Sequence, residues 1–188
     1  MPAGLIVPIL VAVLVVAALV VLPGLLRSRR LHNRFGPEYD RVVGNADHRR
    51  AAERELAERE RAHSDYDLRT LSSSARNEYL GRWSAIQERF VDEPAAALAD
   101  ADRMVTDVMA DLGYPSKNFD QRADDLSVRH AHALTQYRTA HELLVGPAYA
   151  DTDDLRKALL DYREVVRSLL GDDHSLRTAP ESGEVARS

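Results

Sequence analysis

Leu5-Ile-Val-Pro-Ile-Leu-Val-Ala-Val-Leu-Val-Val-Ala-Ala-Leu-Val-Val-Leu22 is an unbroken run of apolar residues carrying one proline. Pro23-Gly24-Leu25-Leu26 extends it to the first charge, Arg27. At a helical rise of ~1.5 Å per residue the run covers roughly 30 Å, about the thickness of a hydrocarbon core. A soluble helix has no need to be apolar on every side. The reading is therefore a single transmembrane helix, marked by Leu5, Leu10, Leu14, Leu19 and Leu22, with the lipid bilayer as its first partner. Pro8 falls in its first turns, where a missing amide costs little.

A secretory signal would need a basic start, an apolar core of ~7–15 residues and a small-x-small cleavage site. Met1-Pro2-Ala3-Gly4 carries no charged side chain, the apolar run is too long, and Leu22-Pro23-Gly24-Leu25 is a poor site. Arg27, Arg29, Arg30 and Arg34 follow at once, and by the positive-inside rule they hold this end in the cytoplasm. The expected topology is a single pass of the plasma membrane, N-terminus outside and C-terminal domain cytoplasmic. A cleaved or inverted arrangement is the competing one.

Charge is distributed unevenly over the 188 residues. From Arg27 to Arg61 there are ten Arg against seven acids, a net of +3. From Ala62 to Gly171 there are thirteen basic and nineteen acidic residues, a net of −6. An acidic distal domain argues against nucleic acid as a partner, because phosphate neutralisation needs a concentrated basic surface. The chain has no cysteine, which excludes disulfides, thiolate metal sites, a catalytic cysteine and a lipoprotein anchor.

Beyond the anchor (1–26), residues 27–45 form a basic juxtamembrane segment with a Gly36-Pro37 turn. Its arginines serve as a topology determinant, or bind anionic headgroups at ~1 kcal/mol each. Residues 46–71 read as a charged helical arm and connector. Arg49–Glu53, Arg54–Glu58 and Glu55–Arg59 are spaced i,i+4, and Leu56 is the only large apolar residue from Ala46 to Ala62. That composition describes a solvated arm, or one strand of an assembly.

Residues 72–171 read as a bundle of about four helices, making the fold class all-α. Ser72–Ser74 offer N-cap hydroxyls, and Tyr79, Trp83, Ile86 and Phe90 make an apolar stripe. Pro94 opens the next helix, which buries Leu98, Ala101, Val105, Val108, Met109 and Leu112 and stops at Gly113-Tyr114-Pro115. A short helix is suggested around Gln121–Leu126. Another runs from about Val128 to Val145, and a last stripe (Leu155, Leu159, Tyr162, Val166, Leu169) ends at Gly171. Gln136-Tyr-Arg-Thr-Ala-His-Glu-Leu-Leu-Val-Gly146 echoes Asp161-Tyr-Arg-Glu-Val-Val-Arg-Ser-Leu-Leu-Gly171, as two similar helices of one antiparallel hairpin would. Residues 172–188 are polar and expected to be a disordered tail.

Arg34-Phe-Gly-Pro-Glu-Tyr-Asp-Arg41, Trp83-x-x-x-Gln87-x-x-Phe90-Val-Asp-x-Pro94, Gly113-Tyr-Pro115, Asp125-Leu-Ser-Val128-x-His130 and Tyr137-Arg-x-Ala-His141 resemble a family of small, uncharacterised actinobacterial proteins. Its members have one N-terminal membrane span and a helical domain, and carry hypothetical or secreted protein labels. The resemblance covers about Arg27 to Gly171. It implies the architecture already derived and brings no activity.

For chemistry, His130 and His132, with Asp124, Asp125 and His141, are the nearest approach to a metal set. Residues i and i+2 of a helix face different ways, His130 to His141 is three turns, and no His-x-x-x-His pair occurs. A phosphate-cradling Gly-rich loop and a nucleophile elbow are both absent. No cofactor is implied, and Tyr79, Trp83 and Phe90 are expected in the core. The expected function is a membrane-anchored helical interaction module facing the cytoplasm, its protein partner met through the acidic bundle or the charged arm. Alternatives are an enzyme or metal-binding domain using His130, His132 or His141, and an exported helical domain facing the envelope.

Overall fold

The computed structural model describes residues 19, 22, 24–115, 118–146 and 151–171. Among them every regular element is an α-helix, as the sequence patterns require. The chain forms α1 (24–35), α2 (Pro37–Asn45), α3 (Arg49–Ser64), α4 (Ser73–Arg89), α5 (Pro94–Asp111), α6 (Phe119–Arg129), α7 (Ala131–Val145) and α8 (Thr152–Gly171). No described helix is long and apolar enough to cross a membrane. Of the apolar run, Leu5, Leu10 and Leu14 lie outside the described residues, while Leu19 and Leu22 are helical and exposed. The polar tail from 172 onward also lies outside them.

Local chemistry sets the boundaries. Gly36 adopts φ 50 and Pro37 follows at the first helical position, so α1 ends and α2 starts in a new direction. Ser72 accepts a hydrogen bond from Ala75 N–H and caps α4, Asn118 does the same for Gln121 N–H at α6, and Asp151 for Asp154 N–H at α8. Gly113 ends α5 at φ 92, with Tyr114 N–H bonded to the Met109 carbonyl. A Cβ at Gly113 would run into the Asp67 carbonyl, so this turn also lets the connector before α4 pack closely, with Arg69 N–H bonded to the Leu112 carbonyl.

Helices α4 to α8 enclose the main core. α7 and α8 are antiparallel, because His130 meets Ser168 at one end and Tyr137 meets Tyr162 further along. The repeated Tyr-Arg pairs supply those two tyrosines, both fully buried and packed edge-to-face with centroids 6.2 Å apart. α5 lies across α8, and α4 runs antiparallel to α5 through Tyr79–Asp111, Arg82–Asp107 and Arg89–Asp100 contacts. The helix expected from Val128 instead starts at Ala131, because the chain breaks at His130 between α6 and α7.

The charged arm is not free in solvent. Leu56 is fully buried with Leu31, Phe35, Tyr39, Val42, Ala52 and Val128, forming a second apolar cluster of α1, α2, α3 and one residue of α6. Most of its partners come from α1 and α2, so the wheel of α3 alone shows nothing for Leu56 to bury against. Ser28–Glu53 and Arg34–Glu60 contacts set α1 and α3 side by side and parallel. Replacing Leu56 by Ala in the full chain is expected to cost about 2–5 kcal/mol in denaturant unfolding, the range for deleting a buried leucine. Val91, which is 82% exposed, should tolerate Val91→Ala within about 0.5 kcal/mol.

Candidate functional site

The first three helices are joined to the bundle by contacts that centre on one buried carboxylate. Glu38 enters α2 in its first turn and is 4% exposed. Its oxygens accept from Arg41 of the same helix at 2.6 and 2.7 Å, from Arg59 Nη1 of α3 at 3.0 Å, and from Arg138 Nη2 of α7 at 3.1 Å. Burial pushes the Glu38 carboxyl upward, but the Arg41 hydrogen bond and the Arg138, Arg41 and Arg59 guanidinium groups outweigh it. The group is held below its ordinary value. Arg59 also reaches Asp124 of α6 at 3.1 Å, where burial raises the carboxyl despite the arginine.

The arginines of α1 divide by partner. Arg30 and Arg34 both reach Glu60 of α3, at 2.8 and 3.1 Å. Arg27 and Arg29 are exposed on α1. Oε1 of Glu53 on α3 accepts from Ser28, from Tyr39 at 2.8 Å and from Arg49 at 2.9 Å. Arg50 and Arg54 extend from the same turns of α3 and, with Gly24, Arg27 and Glu53, line an open cleft of ≈ 510 Å³. The sequence reading missed Arg50 and Arg54 as neighbours of the juxtamembrane run. They stand more than twenty positions downstream, and only the parallel packing of α1 and α3 brings them level.

The three histidines do not converge on one point. His130, 1% exposed, places Nδ1 2.8 Å from Ser168 Oγ, and the exposed His132 brings Nε2 to 3.1 Å from the same oxygen. His141 lies apart, stacked on Phe119 at 3.8 Å and 3.4 Å from Asp102. Asp102 also accepts from Tyr162 at 3.1 Å and from Arg122 at 3.5 Å, while Arg122 Nε donates to Tyr137 at 2.7 Å. This network closes the middle of the bundle. Among the described residues no group of three or more His, Asp or Glu side chains has the arrangement of a metal site. Tyr79 and Trp83 are buried and Phe90 is packed against the same core, as their spacing predicts.

One buried titratable group escaped the sequence reading. His63 closes α3, is 7% exposed, and packs between Tyr66 and Tyr114 with its Nε2 bonded to no described group. Burial, then the charges of Arg129, Arg34 and His130, push its pKa down to about 4. Nothing in the local sequence, a run of charges ending a helix, sets this histidine apart. Nearby Tyr66 donates to Asp125 at 2.9 Å, and its hydroxyl is pushed up to about 12, by burial first and then by that carboxylate.

Family models, curated proteins and solved structures yield no match to this chain.

Two outcomes follow for stability. Glu38→Ala is expected to cost about 3–5 kcal/mol, since removing one partner of a buried ionic group strands the others. A cycle with Arg138→Ala, read by denaturant unfolding, should be clearly less than additive. For His63 the depressed pKa means the unfolded chain takes up a proton below pH 6.5 while the folded chain does not until about 4. Its contribution is complete above pH 6.5 and is lost as pH falls towards 4, by about 3 kcal/mol at most. Asp125, raised chiefly by burial, works in the opposite sense in acid. His63→Phe should therefore flatten the pH 6.5 to 4 limb of the stability profile.

Proposed function

We propose that this chain is a membrane-tethered helical interaction module, crossing the plasma membrane once through Leu5–Leu22 and holding its bundle in the cytoplasm. One juxtaposition carries the reading. Leu19, Leu22, Leu25 and Leu26 are all more than half exposed, on the turns directly before Arg27, Arg29 and Arg30. An uncovered apolar side followed at once by guanidinium groups suits a helix leaving a bilayer on its cytoplasmic face. Glu38 then couples that basic end to the acidic bundle, so the bundle stands at a set position relative to the membrane rather than on a loose tether.

The bundle is the surface offered to a protein partner. Because the charged arm is packed, its role as a free strand of an assembly is not retained. The enzymatic or metal-binding alternative is not favoured, since His130 and His132 share Ser168 while His141 is committed to Phe119 and Asp102.

The absence of cysteine makes the topology directly testable. With Ser188→Cys, a membrane-impermeant maleimide should label the protein only after lysis, and full-length protein should sediment with membranes. Labelling of intact cells, or a shortened soluble product, would place the domain in the envelope and end the cytoplasmic reading.

A further inference from the structure

We infer that the cleft between α1 and α3 is a binding site for a phosphate group, supplied by an anionic lipid of the leaflet from which the tether emerges. Its lining is Gly24 and Arg27 from α1 and Arg50, Glu53 and Arg54 from α3. The site rests on the proposed tether for the source of its ligand, but not for its chemistry.

The charge balance of the cleft singles it out. Glu53 takes its bonds from Ser28, Tyr39 and Arg49 on Oε1 and makes no ion pair with the three cleft arginines. Arg27, Arg50 and Arg54 make no ion pair with any described carboxylate. Arg54 is held instead by Nε donating to the Arg50 carbonyl at 3.3 Å. A second cleft shares Arg27 and adds Arg30 and Arg61, but there Arg30 is paired with Glu60. The first cleft is therefore the one whose three arginines all lack an ion pair with a described carboxylate.

Guanidinium groups present paired N–H donors that match phosphate oxygens, and three around one opening form a stronger trap than three along a line. The volume of ≈ 510 Å³ lies within the roughly 300–1,000 Å³ usual for small-ligand sites. At Gly24 an added side chain would meet nothing within 4 Å, so the mouth of the cleft is open. Gly24 stands within two residues of the exposed Leu22, Leu25 and Leu26, so a lipid whose phosphate sits among the arginines has apolar residues close by for its acyl chains.

The test uses the full-length protein in detergent micelles, offered equal amounts of phosphatidylglycerol and phosphatidylcholine, with bound lipid read by native mass spectrometry. Phosphatidylglycerol should be retained in preference. Arg50→Gln with Arg54→Gln should lower that retention about 5-fold per guanidinium, near 25-fold for the pair. The Lys pair should keep part of it. Arg156→Gln with Arg167→Gln on α8, an equal change in net charge, should leave it unaltered. Unchanged circular dichroism confirms that each variant is folded.

Inorganic phosphate is the parallel probe. If it binds the wild type and displaces the lipid, the anion cleft stands and its ligand is a soluble phosphate. Equal retention of both lipids with no phosphate binding overturns the site, as does retention insensitive to Arg50 and Arg54. Failure of the tether reads out separately: the protein would leave the membrane pellet without detergent, and the phosphate arm would still report on the cleft.

Discussion

A carboxylate that has left water must be matched by charges that have left it too, and Glu38 is the place where this chain meets that condition. Three guanidinium groups from α2, α3 and α7 converge on it within 3.1 Å. The apolar cluster beneath α1 to α3 is small, and apolar contact by itself is non-directional. The ionic hub supplies direction. It fixes which face of α2 meets α7 and which turn of α3 lies against both, and hence where the arginines of α1 and α3 stand relative to the bundle.

The bundle repeats the device with Asp102, which gathers Tyr162, His141 and Arg122 near the packed tyrosines. Burial raises the Tyr137 and Tyr162 hydroxyls, and the Asp102 charge adds to it, so both remain neutral donors. Other acids are also taken up internally. Asp111 holds Tyr79, Asp107 holds Arg82, and Asp100 holds Arg89 and Arg103. Part of the acidic content of the distal domain is thus spent on contacts between helices. The rest includes the exposed Asp153 and Asp154 at the start of α8.

This division gives the molecule a polarity that bears on its proposed role. Uncompensated arginines collect where the apolar run ends, and carboxylates are neutralised or displaced toward the far helices. A module with that arrangement is drawn to an anionic surface at one end and repelled from it at the other. In the proposed role the bundle is held away from the lipid and open to a partner.

The sequence by itself determined the all-α class, the positions of α4, α5 and α8, and the apolar stripes that fill the main core. These are consequences of local periodicity, caps and glycine or proline stops, which operate within a few turns of chain. The Tyr-Arg echo likewise foretold the α7–α8 hairpin, since similar helices bury similar faces. What the periodicity could not contain was any contact between segments distant in sequence. Leu56 acquires its core from α1, α2 and Val128, Glu38 acquires Arg138 from one hundred residues away, and His63 loses water to Tyr66 and Tyr114. The joining of Arg27 to Arg50 and Arg54 belongs to the same class. A helical wheel records which residues share a face, but the partner of that face is set by packing of the whole chain. The three histidines show the converse: His130 and His132 share Ser168, while His141, near them in sequence, goes to Asp102 and Phe119.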